Sequence, residues 1–88
     1  IRPGTRILLA EDNPENSFLV QTYLEDLPLL LDFAEDGADA LRKRRTQDYD
    51  LILMDIQMPV MDGYTATREI RAWEQANGRP PVPVVALT

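Results

Sequence analysis

Two short apolar runs, each closed by acid, constrain this chain more than anything else in it. Ile7-Leu8-Leu9-Ala10 leads straight into Glu11 and Asp12, and Leu51-Ile52-Leu53-Met54 into Asp55. Each run is continuous rather than alternating and is bounded by polar or turn-prone residues, the pattern of a strand buried on both faces in a parallel sheet. The carboxyl ends of parallel strands share one edge, and ligands bind there at the point where strand order reverses. If the two strands are neighbours, Glu11, Asp12 and Asp55 converge on one cleft. Carboxylates gathered so closely repel and raise one another's pKa unless a cation sits among them. The pattern therefore predicts a hard divalent metal and chemistry with phosphate.

The rest of the chain reads as an alternation of strands and helices. Asn13 and Pro14 predict a helix cap and a first-turn proline. Val20, Tyr23, Leu24 and Leu27 follow at helical spacing, and Pro28 ends that helix. Leu29 to Ala34 reads as a second strand. Gly37 opens a short helix through Ala38, Ala40 and Leu41, which finishes in Arg42-Lys43-Arg44-Arg45. The third strand runs to Asp55, and a loop with Pro59 and Gly63 follows. A helix from about Gly63 to Gln75 is expected to carry Ala66, Ile70 and Trp73 inward. Asn77-Gly78 and Pro80, Pro81 and Pro83 form a connector to a fourth strand, Val84-Val85-Ala86-Leu87, before Thr88. Strands separated by helical patterns imply βαβ units with right-handed crossovers, an α/β fold. No internal repeat, low-complexity tract or second domain is visible.

Composition narrows the chemistry. The 88 residues make one domain at most, and the 44% hydrophobic content suffices for a modest core. The net charge of −6 argues against nucleic acid as a direct partner, and Glu11, Asp12 and Asp55 account for half of it. Without cysteine there is no disulfide scaffold, thiolate metal site or catalytic thiol. Without histidine, imidazole acid–base chemistry and imidazole ligation are excluded within this chain. No apolar stretch approaches roughly 20 residues, so no part of the segment is expected to span a membrane, and no signal peptide is visible. A chain that opens on Ile1 rather than Met is expected to be a piece of something longer.

These strings closely resemble the response regulator receiver domain. The resemblance rests on Ile7-Leu8-Leu9-Ala10-Glu11-Asp12-Asn13, on Leu51 through Gly63 with its Met58-Pro59-Val60-Met61-Asp62-Gly63 segment, and on Val84-Val85-Ala86-Leu87-Thr88. It covers essentially the whole chain in order and spacing, and the segment after Asp55 is far more specific than a lone acidic pair. Glu11-Asp12-Asn13 with Asn16 following is similar to receivers attached to hybrid sensor histidine kinases. The fold this implies is a flavodoxin-like, doubly wound parallel sheet with strand order 2-1-3-4, truncated after the fourth strand.

The resemblance also implies roles. Asp55 would be the phosphoacceptor, attacking the phosphoryl group of a phosphohistidine on a histidine kinase or histidine phosphotransfer domain; an aspartyl-phosphate is recognised covalent chemistry. Glu11, Asp12 and Asp55 would hold Mg²⁺ with the backbone carbonyl of Gln57, in keeping with an ion that uses few carboxylates and keeps several waters. The transfer would run mostly on positioning and electrostatics. Thr88 would offer its hydroxyl to a phosphoryl oxygen as a switch. A cytoplasmic location is implied, with no direct contact to nucleic acid or membrane.

Simpler roles stand beside these. Asp55 can cap a strand end. Asp62 reads as a turn residue, Gly63 as backbone geometry at a helix start, and Asn13 as a cap. The basic run Arg42 to Arg45 reads as a solvated helix C-terminus that complements the macrodipole. Trp73 reads as packing, and Tyr64 receives no role.

The sequence departs from the family in one respect. A receiver continues with a fourth helix, a fifth strand and a fifth helix, and the fifth strand carries a lysine that pairs with the phosphoryl group. No lysine or arginine here holds the matching position; Lys43 belongs to the second helix. A longer receiver represented in part is the expectation, with self-association through the uncovered fourth-strand edge as a consequence. Two functional readings follow: a phosphoacceptor domain of a two-component or phosphorelay pathway, and a non-phosphorylated receiver-like interaction module. A stand-alone aspartate phosphatase fits less well, since Asp12 is followed by Asn13 and Pro14 rather than by an Asp two residues on.

Overall fold

A computed structural model describes residues 2–87 of the chain. The elements run β1 (Thr5–Ala10), α1 (Pro14–Leu24), β2 (Leu29–Ala34), α2 (Gly37–Thr46), β3 (Leu51–Asp55), α3 (Gly63–Ala76) and β4 (Val84–Leu87). All strand pairings are parallel and the order is β2-β1-β3-β4, so the expected α/β sheet is present. β1 sits between β2 and β3 and is buried from Ile7 to Ala10, as its unbroken apolar run requires. Among the described residues no helix is long and apolar enough to cross a membrane.

The core lies on one face of the sheet. Leu8, Ala10, Ile52 and Met54 point to that face and meet Ala40 and Leu41 of α2 and Ala66 and Ile70 of α3. Strand alternation sends Ile7 and Leu9 to the opposite face, towards α1. Burying each large aliphatic fully, as at Leu8 and Ile52, contributes roughly 1.5–3 kcal/mol.

Local chemistry sets the helix ends. The Asn13 side chain accepts from the Glu15 and Asn16 amides at 2.8 and 3.4 Å, with Pro14 in the first turn, as predicted. Asp36 caps α2 through the Asp39 amide, and Asp62 caps α3 through the Thr65 amide, both at 2.8 Å. The Asp62 cap bears out its reading as a turn residue. α1 stops at Leu24, short of Pro28: the residue before a proline avoids the helical region, and residues 25–28 make tight turns into β2 instead.

Three readings of the helices need correction. None of α1's residues is fully buried; Val20 and Leu24 are half-buried against the sheet, whereas Tyr23 points outward, 82% exposed. On α3 the inward seam is Ala66, Ile70 and Glu74, each one turn on from the last, rather than Trp73. Trp73 is half-buried, with the Arg44 and Arg79 guanidinium groups 5.1 and 5.7 Å from its ring centre. The basic run is not uniformly solvated either. Arg44 is buried because Glu74 reaches down from α3 to meet it at 3.0 Å.

Two glycines are required by crowding. A Cβ on Gly37 would lie 2.2 Å from the Met61 carbonyl oxygen, and one on Gly63 2.2 Å from that of Asp55. The amides of the same glycines donate to Met61 O and Ile56 O at 3.0 and 2.9 Å, tying the loop after β3 to both helices. Gly63→Ala is expected to destabilise the fold by about 1–3 kcal/mol, the usual range for an overpacked site. Chemical denaturation checks the effect, and wild-type stability would refute the crowding argument.

Candidate metal centre

Sheet register brings the acids together. Ala10 pairs with Met54, so Glu11 and Asp55 leave adjacent strands at the same level, and Asp12 follows into the loop before α1. One carboxylate oxygen from each of Glu11, Asp12 and Asp55 lies within 4.8 Å of the others. Glu11 is buried, Asp55 half-buried and Asp12 exposed, so the cluster opens from the sheet edge towards solvent. The convergence predicted from the two apolar runs is therefore realised.

Electrostatics mark the cluster as strained. Burial pushes the Glu11 carboxyl above the ordinary carboxylate range, and the adjoining Asp55 carboxylate pushes it further, against the Asn16 amide and the Asn13 N–H, which favour the charged form. Among the described residues no lysine or arginine forms an ion pair with any of the three acids. Lys43 is committed elsewhere, donating to the Phe33 carbonyl and pairing with Asp39 at 3.6 Å. An all-oxygen donor set with unbalanced negative charge fits a hard divalent cation such as Mg²⁺. Glu11→Gln is expected to raise the thermal midpoint in EDTA, because a neutral side chain removes the repulsion with Asp55. A gain of ~1 kcal/mol would appear as about 4–8 °C in a domain of this size. A lowered midpoint in EDTA would mean that Glu11 serves the fold rather than the site.

The neighbouring residues frame the cluster. The Gln57 amide donates to Asp55 Oδ1 at 3.3 Å, which holds the start of the loop against the carboxylate. Gln57, Met58, Pro59, Asp62 and the exposed Tyr64 line a cavity of about 480 Å³ with Asp12. Asp62 shares that cavity but is not in the acid cluster; its carboxyl is held below the usual range chiefly by the Thr65 N–H. Val60 turns the loop with φ at 68°, a left-handed conformation that costs a β-branched residue of order 1–3 kcal/mol. On the far side, Glu11, Asn16, Val20, Asp55 and Leu87 line a second cavity of about 300 Å³. Leu87 pairs with Asp55 across β3 and β4, and Thr88 lies outside the described residues.

A parallel 2-1-3-4 sheet with three acids gathered at the carboxyl ends of its inner strands defines a class: an α/β domain with an acidic cluster at the edge of its sheet. The profile of the response regulator receiver domain matches residues 7–88, and the chain belongs to that family. It is 47% identical over 83 residues to the sensor protein GacS of Pseudomonas syringae pv. syringae, covering 94% of this chain but only 9% of that protein. Among solved structures it is similar to a chain in the co-crystal structure of the Saccharomyces cerevisiae histidine phosphotransfer signaling protein Ypd1 and the receiver domain of its downstream response regulator Ssk1. That match has a TM-score of 0.91 at 32% identity, covering 100% of this chain and 66% of the other. The receiver domain of the sensor histidine kinase PA1611 from Pseudomonas aeruginosa PAO1 is similar too, with a TM-score of 0.84 at 44% identity over 97% of this chain and 67% of that one. Its structure has a magnesium ion coordinated in the active site cleft.

Proposed function

We propose that Asp55 is the phosphoacceptor of a two-component or phosphorelay pathway. A carboxylate oxygen of Asp55 attacks phosphorus as the P–N bond of a phosphohistidine breaks, and the imidazole leaves with the electron pair of that bond. Glu11, Asp12, Asp55 and the Gln57 carbonyl are the proposed Mg²⁺ ligands. When bound, Mg²⁺ supplies positive charge against the oxygens of the transferring group. Thr88 follows the residue that pairs with Asp55 and is the hydroxyl proposed to donate to a phosphoryl oxygen. The observation that carries the reading is the convergence of three carboxylates at the ends of adjacent strands, with one oxygen of each within 4.8 Å of the others.

Likeness to a chain of the Ypd1–Ssk1 complex supports a histidine phosphotransfer protein as donor, and likeness to GacS supports a histidine kinase in the same polypeptide. The reading carries a cytoplasmic location with it. The test is incubation with a phosphorylated histidine phosphotransfer domain or a small phosphodonor, with and without Mg²⁺. Acid-stable but alkali-labile label that appears only with Mg²⁺ is the expected result. A second reading, a receiver-like interaction module without phosphorylation, draws on the lack of a cation beside the acids among the described residues. Protein that folds and binds Mg²⁺ yet takes no label from either donor would favour it.

A further inference from the structure

Glu11 is the one buried member of the acid cluster, and its orientation decides what the cluster offers a cation. Two donors reach it, the Asn13 amide at 3.3 Å and the Asn16 side-chain amide at 3.2 Å, and both end on the same oxygen, Oε1. The second carboxylate oxygen is thereby left without a protein donor among the described residues. The Asn13 amide is fixed by the backbone and follows from the loop. The Asn16 contact is a choice of side chain. Asn16 sits in the first turn of α1, its backbone amide already capped by Asn13, and its side chain turns back across the turn to Glu11. It also lines the cavity that Glu11 and Asp55 share with Leu87.

We propose that Asn16 is a positioning residue for the metal centre: its side-chain amide pins Glu11 Oε1 and thereby presents the other oxygen of Glu11 to a divalent cation. The proposal rests on the reading of Glu11 as part of the Mg²⁺ site. Groups that orient a metal ligand from behind lose 10- to 100-fold in metal affinity when removed. Asn16 is exposed and lies outside the hydrophobic core, so its truncation bears on the site more than on the fold.

The experiment is an Mg²⁺ titration of wild-type protein and of Asn16→Ala, Glu11→Ala and the double variant, followed through the backbone amide resonances of Asp12, Asp55 and Gln57. Thermal melting in EDTA runs alongside. Asn16→Ala is expected to weaken Mg²⁺ binding by about tenfold, with the protein still melting cooperatively in EDTA. In the Glu11→Ala background the same truncation should change nothing, because the side chain it acts through is gone. Wild-type Mg²⁺ affinity in Asn16→Ala overturns the proposal and leaves the metal reading standing. So does an equal loss in both backgrounds, which would mean direct contact between Asn16 and the ion. Wild-type protein that shows no Mg²⁺-dependent shifts overturns the metal reading and this proposal together.

Discussion

Asp55→Asn is expected to reduce Mg²⁺-dependent phosphoryl incorporation to background, a loss of at least ~10³-fold, as removal of a covalent nucleophile does elsewhere. The substitution is nearly isosteric, so the side chain keeps its place at the end of β3 and can still accept from the Gln57 amide. What it loses is the anionic oxygen proposed to attack phosphorus. It also removes the neighbouring charge that helps push the Glu11 carboxyl upward. The metal-free variant should therefore melt no lower in EDTA than wild-type protein, and that separates a missing nucleophile from an unfolded domain. Mg²⁺ affinity should fall, since one carboxylate of the set has become an amide. Label that survives Asp55→Asn would refute the acceptor assignment outright, whatever the metal does.

Most of this site could be read from the residues alone, and the reason is the geometry of parallel sheets. Leu8 lies in an unbroken apolar run because both faces of β1 are buried; on β3 the expected two-sided burial is incomplete, Ile52 and Met54 being buried and Leu51 and Leu53 half-buried. An acid that ends such a run can only emerge at the carboxyl edge. The order of Glu11, Asp12 and Asp55 thus encoded their meeting place, and Asn13-Pro14 encoded the helix that closes the first loop. What escaped was polar burial. Apolar periodicity marks Ala66 and Ile70 on α3, but the next place on that seam is Glu74, and a charged residue reads as surface. Trp73, one position away, took the inward role by its size. Arg44 was hidden the same way, inside a run of basic residues whose neighbours Arg42 and Arg45 are exposed. Helical spacing alone places Arg44, four residues after Ala40 and three after Leu41, on the buried seam of α2, but the partner that lets it stay there lies 30 residues on, in another helix. Asn16 marked a resemblance in the sequence but disclosed its contact with Glu11 only once the first turn of α1 had a geometry. Tyr23 shows the converse error, an aromatic at helical spacing that faces outward.

The buried Arg44–Glu74 pair supports the largest stability prediction. Both side chains are 3% exposed. Arg44 also donates to Asp48 Oδ1 at 3.1 Å and to the Pro80 carbonyl at 3.3 Å. Glu74 accepts from Arg71 at 2.8 Å and from the Val82 amide at 2.9 Å. The pair thus joins α2, α3 and the connector that leads into β4, and with β4 the residue that stands opposite Asp55. Arg44→Ala removes the buried one of the two guanidinium groups that compensate Glu74 and leaves the more exposed Arg71; breaking a buried pair on one side costs up to roughly 3–5 kcal/mol. Replacing both Arg44 and Glu74 with well-packed apolar residues should recover most of the loss, since the penalty lies in the under-compensated charge rather than in the lost attraction. The pH dependence identifies the cause. Burial would raise the Glu74 carboxyl, but the Val82 amide, Arg71 and Arg44 outweigh it and hold it below the ordinary range. A carboxylate with a depressed folded-state pKa adds stability that is fully present above its unfolded value, near ~4.3, and lost as pH falls through its own lower value. The gap between wild type and Arg44→Ala should therefore be widest near neutral pH and narrow below about pH 4, where Glu74 takes up a proton in the variant first. Urea denaturation of both proteins across that range measures it. A gap that stays constant with pH would assign the role of Arg44 to its packing over Trp73 instead of to the charge of Glu74.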